Sequence, residues 1–180
     1  IKAVAKLLYG LPVHGYAAVN MSAISDINDA VGGVEVEVLE DLTVKDPALA
    51  KGERIRLTGE QAFWYVKYRD TEQFASADRR LDRQKQYLNA LIGAAKQAVR
   101  QDVTAALELY KEISSRMVTD ITLDEAAYLA PILAEYQFDT DHFYMLKGET
   151  VKGEKFEEFY VDEEALYEMI LEIFYEEVTF

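Results

Sequence analysis

Five residues, Val34-Glu35-Val36-Glu37-Val38, alternate between apolar and acidic side chains without a break. Successive side chains of an extended segment point to opposite faces, so this run buries its valines on one side and keeps its carboxylates in water on the other. Further along, Leu81, Leu88, Leu91, Ile92, Ala95 and Val99 recur close to every 3.6 residues, the apolar stripe of a long helix running from about Asp78 to Arg100. A chain that carries both periods must build layers of sheet and helix, which places it in the α/β or α+β classes.

The remaining elements follow from turn and cap chemistry. Val4 to Leu8 reads as the end of a helix closed by Gly10, and Tyr16 to Asn20 as a strand. Ser22 or Ser25 caps a short helix through Ile27 to Val31, which Gly32 and Gly33 end. Lys45 to Gly52 is a loop with turn chemistry at Asp46-Pro47. Thr58-Gly59-Glu60-Gln61 opens a short helix, after which the chain extends through Lys67-Tyr68-Arg69. Helices are expected over Val103 to Met117 and from the Thr122 cap, with Glu125 three residues on, to about Glu135. Pro131 should kink or shorten the latter. Phe143 to Leu146 and Lys155 to Val161 read as strands joined by a glycine-containing turn, and Asp162 caps a last helix through Tyr175. Only about four strands emerge, few for so many helices. The expectation is therefore a single domain over 1–180 whose first strands lie upstream, and Ile1 in place of an initiating Met fits a cut or processed start.

Composition narrows the function. With no cysteine there are no disulfides and no thiolate metal sites. No apolar run is long enough to cross a bilayer. The net charge of −14 argues against nucleic acid as a partner, because a duplex is itself densely anionic. That charge is unevenly spread: residues 1–50 carry −4, residues 51–100 carry +5 and residues 101–180 carry −15. The basic island holds Lys67 and Arg69, two apart and so on one face if extended, followed by Arg80, Arg83, Gln84 and Tyr87 at helical spacing. A strand and a helix N-terminus that together deliver four cations suit a phosphate or pyrophosphate, since exposed helix N–H groups favour anions and guanidinium groups grip phosphate oxygens in pairs. The alternative is a solvated helix face paired locally with Asp70, Asp78 and Asp82, and for Arg83 an outward ion pair. Phe63, Trp64 and Tyr65 read as core or, alternatively, as the lining of a lipid tunnel. His14 and His142 have no nucleophile at a recognisable spacing, so a hydrolase triad is not supported.

Taken in order, Leu7-Leu8-Tyr9-Gly10-Leu11-Pro12-Val13-His14-Gly15-Tyr16, Val19-Asn20, Asp29-Ala30-Val31-Gly32-Gly33-Val34, Leu57-Thr58-Gly59-Glu60-Gln61-Ala62, Tyr65-Val66-Lys67-Tyr68-Arg69 and Arg80-Leu81-Asp82-Arg83-Gln84 resemble the middle and C-terminal part of a LytR-CpsA-Psr domain. The resemblance implies an α-β-α sandwich around a mixed central sheet, held on the extracellular face of the cell membrane by an upstream anchor. It implies a magnesium-assisted phosphotransferase that moves an anionic glycopolymer, of teichoic acid or capsule type, from a polyprenyl-pyrophosphate carrier to peptidoglycan. The family's phosphate-binding arginines fall on Arg69 and Arg80 and its glutamine on Gln84. Lys67 stands where arginine is usual. Ala77 stands where an acidic residue is usual, with Asp78 one position later as the tentative catalytic carboxylate. The family's metal-binding aspartates lie upstream of these residues, so no magnesium ligand is identified in this chain. Binding of polyprenyl phosphate without catalysis, or the regulation implied by the family's older label of transcriptional attenuator, are the alternatives.

Overall fold

The computed structural model describes residues 1–74, 76–101, 113–136 and 143–176. The chain divides into two compact units, His14–Phe138 and a second made of Ile1–Val13 with Asp139–Phe180. The class is α/β, and among the described residues the strands pair as three two-stranded antiparallel ladders.

The larger unit is built on the alternating segment. Strand β2 (Val34–Glu37) pairs with β3 (Arg54–Leu57) in the register Glu35 to Arg56 and Glu37 to Arg54,. Val34, Val36 and Val38 are buried, as alternation requires, and Glu35 and Glu37 face water opposite Arg56 and Arg54 at 3.6 Å each. These exposed cross-strand pairs contribute little to stability; the buried face does the holding. Between the two strands Leu42 and Leu49 are fully buried and tied by the Leu42 N–H to the Leu49 carbonyl at 2.9 Å. Each such leucine is worth about 1.5–3 kcal/mol of transfer free energy. Strand β3 lies between the expected loop and the Thr58 helix, and its Arg-Ile-Arg-Leu alternation is the signal that marks it.

Helix α2 (Ala23–Ala30) packs on α3 (Gly59–Lys67). The approach is so close that a Cβ on Gly59 would sit 2.6 Å from both the Ser25 carbonyl and Asp29 Oδ2. Asn28, fully buried, accepts from the Val34 N–H at 3.2 Å and donates to the Leu57 carbonyl at 2.8 Å, which pins α2 to both strands. Thr58 and Gln61 form a reciprocal capping box at the start of α3. Helix α4 (Ser76–Gln101) crosses β2 and α3, and buries Tyr87 in the shared core with Ala90, Leu91 and Ala94 packed beside it. Strand β1 (Ala17–Val19) pairs with β4 (Met117–Thr119). Helix α5 (Leu123–Glu135) begins at the expected Thr122–Glu125 capping box and continues through Pro131.

In the smaller unit, α1 (Lys2–Leu7) ends before a left-handed Tyr9 and Gly10. Strands β5 (Gly148–Lys152) and β6 (Glu157–Val161) form a hairpin, and α6 (Glu163–Phe174) is capped by Asp162, whose Oδ1 accepts from the Ala165 N–H at 3.0 Å.

Four expectations need correction. The first hairpin strand lies at Gly148–Lys152, not Phe143 to Leu146. Met117 opens a strand rather than ending a helix, and residues 103–112 of that expected helix lie outside the described residues. Lys67 is the last residue of α3, not part of an extended segment. The apolar stripe of α4 is only partly its buried side: Leu91 packs on the core, but Leu81 and Leu88 are 43% and 46% exposed, while Arg83 and Tyr87 are 1% and 5% exposed. The stripe of Arg83, Gln84, Tyr87, Leu91 and Ala94 faces the core, because its polar heads have backbone carbonyls to bind there.

Candidate functional site

The basic island sits where α3 ends and α4 begins. A helix leaves its last carbonyls without intrahelical partners. In α3 those of Tyr65 and Val66 are taken up by α4: Arg83 Nη1 donates to the Tyr65 carbonyl, and Gln84 Nε2 donates to the Val66 carbonyl at 3.0 Å. Arg83 Nη2 donates to the carbonyl of Tyr68, the C-cap residue. A buried guanidinium at a helix C-terminus also meets the negative end of the helix dipole. Glu40 supplies the countercharge, its two carboxylate oxygens lying 3.2 Å from Arg83 Nε and 3.0 Å from Arg79 Nε. Burial pulls the Arg83 pKa down, and Glu40 opposes that shift. Beside this clasp the Tyr65 hydroxyl donates to Gln86 Oε1 at 2.5 Å, and burial pushes the Tyr65 phenol up. Thus Arg83 and Gln84 fasten α4 to α3, and Arg79 is bound to Glu40, the Phe74 carbonyl and Gln73 Oε1.

The other members of the expected set are placed differently. Arg69 lies in the loop between the helices, and its Nε donates to Ser76 Oγ at 2.9 Å. Ser76 is the buried first residue of α4, and Arg80 stands one helical turn after it, on the same side. Arg80 is half-buried; its Nε is shut off from solvent and has no hydrogen-bond partner among the described residues. A buried donor without a partner costs about 1–3 kcal/mol. Lys67 is exposed on the last turn of α3 with its Nζ 4.5 Å above the Phe63 ring. Asp78, in the first turn of α4, is exposed. Of the aromatic trio, Tyr65 is core, whereas Phe63 and Trp64 are half-buried beneath lysine ammonium groups. His14 is exposed, and His142 lies outside the described residues.

Two partners that organise this region carry no local sequence signal: Glu40, just past β2, and Ser76, the first residue of α4. Only the fold brings them to Arg83 and Arg69. Among the described residues, no group of three or more carboxylate or imidazole side chains comes together that would hold a metal ion. Also among them, no helix is long and apolar enough to cross a membrane.

A family model described as the LytR_cpsA_psr family matches residues 1–172. The polyisoprenyl-teichoic acid–peptidoglycan teichoic acid transferase TagU of Bacillus subtilis (strain 168) is 27% identical over 165 residues, covering 91% of this chain and 52% of the relative. The chain thus spans about half the length of that curated relative. The crystal structure of Lin1025 protein from Listeria innocua aligns with a TM-score of 0.62 at 27% identity, over 94% of this chain and 69% of that one. A structure of TagT bound to LI-WTA aligns with a TM-score of 0.71 at 21% identity, over 96% and 63% of the two chains, and supports the fold.

Proposed function

The chain belongs to the LytR-CpsA-Psr family, and from that premise we propose that it is the pyrophosphate-holding part of an envelope transferase that moves an anionic glycopolymer from a polyprenyl-pyrophosphate carrier to peptidoglycan. The observation that carries the reading is the Arg80 Nε, buried and without a hydrogen-bond partner among the described residues, one turn from the serine that holds Arg69. Guanidinium groups meet phosphate oxygens with short, charge-assisted hydrogen bonds, so a pyrophosphate would supply what Arg80 lacks. TagU relatives, named as teichoic acid transferases, support the glycopolymer as cargo.

Transfer of this kind needs positioning and charge neutralisation more than covalent help from the protein. Lys67, Arg69 and Arg80 are the proposed contacts to the pyrophosphate. Arg83 and Gln84 act on it through others, by fixing where α3 ends and α4 starts. In the reaction a sugar hydroxyl of the acceptor attacks the phosphorus that carries the polymer. A phosphodiester forms, the bond to the lipid phosphate breaks, and the hydroxyl proton passes to a base. Asp78 is the carboxylate that the first turn of α4 offers for that proton. Action at the outer face of the membrane follows from the lipid carrier.

The test is organic extraction of the purified protein followed by mass spectrometry. The expected result is a co-purified polyprenyl phosphate that is absent from Arg80→Ala protein. Lipid at equal occupancy in both would refute the assignment of Arg80.

A further inference from the structure

Around the Lys67 end of α3 lies a second feature that holding a pyrophosphate does not explain. Phe63, Trp64, Lys67 and Tyr68 occupy one side of the last turn of α3, and Lys45 reaches them from the β2–β3 connection. The Lys45 Nζ stands 4.7 Å from the Trp64 ring centroid and 4.8 Å from that of Tyr68. The Lys67 Nζ stands 4.5 Å from Phe63 and 5.9 Å from Trp64. Phe63 and Trp64 meet edge to face at 5.2 Å. Both lysines are exposed. The chain has 33 acidic residues against 19 basic ones, yet neither ammonium has a carboxylate partner among the described residues.

Each ammonium has three donors, and a ring face takes up only the side that leans on it. The remaining donors point away from the rings toward solvent. The half-buried rings themselves offer flat apolar area at little entropic cost, because an aromatic side chain has few rotors to freeze. A ligand suited to both must present anionic oxygens at intervals, with C–H faces between them. A chain of polyol or sugar units joined by phosphodiesters has that pattern; a neutral glycan offers only the C–H faces. Lys67 is two residues from Arg69, so this surface is continuous with the proposed pyrophosphate grip.

Resting on the reading of the pyrophosphate site above, we propose that Lys45, Trp64 and Tyr68, with Phe63 and Lys67 as the link, form a holding surface for the first phosphodiester-linked units of the polymer. They bind the cargo beyond the pyrophosphate and so select an anionic polymer over a neutral one.

Trp64 is the single tryptophan, so its fluorescence reports on this surface alone. The experiment titrates the protein with two probes: a short poly(glycerol phosphate) carrying no lipid, read by Trp64 fluorescence, and decyl pyrophosphate, read by calorimetry. Poly(glycerol phosphate) should change the Trp64 emission, and added salt should weaken its binding. Lys45→Ala should weaken it about three- to fivefold, the worth of one cation on a wet surface, while Lys45→Arg retains it. Decyl pyrophosphate should bind both Lys45 variants as it binds the unaltered protein. An uncharged dextran of similar length that binds equally well, a polymer that fails to bind, or a Lys45→Ala protein that titrates unchanged would overturn the holding surface. Failure of decyl pyrophosphate to bind would instead strike at the pyrophosphate site.

Discussion

The inner and outer turns at the start of α4 both carry arginine, and the fold puts them to opposite uses. On the inner side Arg83 is 1% exposed; its two terminal nitrogens donate to backbone carbonyls of the α3 terminus, and its Nε, although without a hydrogen bond, lies 3.2 Å from the Glu40 carboxylate that neutralises it. On the outer side Arg80, three residues earlier, keeps a buried nitrogen that nothing in the described protein satisfies. The difference is one of partners rather than of residue type. A cation whose charge and terminal donors are met internally is spent on the fold. One left unmet costs stability until a ligand arrives. Stability and binding should therefore separate cleanly between these two positions.

The largest effect is expected on the inner side. Arg83→Ala strands two carbonyls and leaves Glu40 with Arg79 alone, so unfolding in urea should show a loss of about 3 kcal/mol or more. A cost below about 1 kcal/mol would mean that Arg83 is no more structural than a surface arginine. Glu40→Gln comes next: it keeps the shape but removes the countercharge of a buried guanidinium, with an expected loss of about 1–3 kcal/mol in the same experiment.

The inner region also carries a pH signature. Burial raises the phenol pKa of both Tyr65 and Tyr87, the latter strongly. A raised acid titrates later in the folded state than in the unfolded one. Its stabilising contribution is therefore complete below about pH 10, the unfolded value, and is lost as pH rises through the folded values. Thermal unfolding should show stability falling above about pH 10, and Tyr65→Phe should blunt that fall. The smallest effect belongs to the outer side. Lys67→Arg restores a planar fork that meets phosphate oxygens in pairs, and should tighten decyl pyrophosphate about two- to threefold without moving the urea midpoint.

How much of this was legible in the sequence differs between backbone and side-chain partnership. The strand at Val34–Glu37, the Thr58 and Thr122 helix starts and the Asp162 cap were readable, because alternation and capping are set by near neighbours. Strand β3 is hard to tell from its surroundings, although Arg54 and Arg56 alternate with Ile55 and Leu57, since it is short and pressed between a turn and a helix cap. On α4 the sequence supplied two stripes and no way to choose between them. Leucine positions looked like core by polarity, yet the face with Arg83, Gln84 and Tyr87 is the buried one. The choice was made by carbonyls at the end of α3 and by Glu40, all distant in sequence. For the site, the residue types that bind phosphate were visible, but not which of them the protein uses up itself. Lys45 belonged to a loop in the sequence, and only the fold carries it to Trp64.

The proposed site sets Arg80 aside for a ligand and spends Arg83 on the fold. Calorimetric titration of decyl pyrophosphate into the unaltered and Arg80→Ala proteins tests it most directly, with urea unfolding of the same two samples alongside. Arg80→Ala should weaken binding about tenfold or more, ~1.4 kcal/mol, while stability stays level or rises slightly. Equal affinity in the two proteins, or a stability loss as large as that of Arg83→Ala, would contradict it.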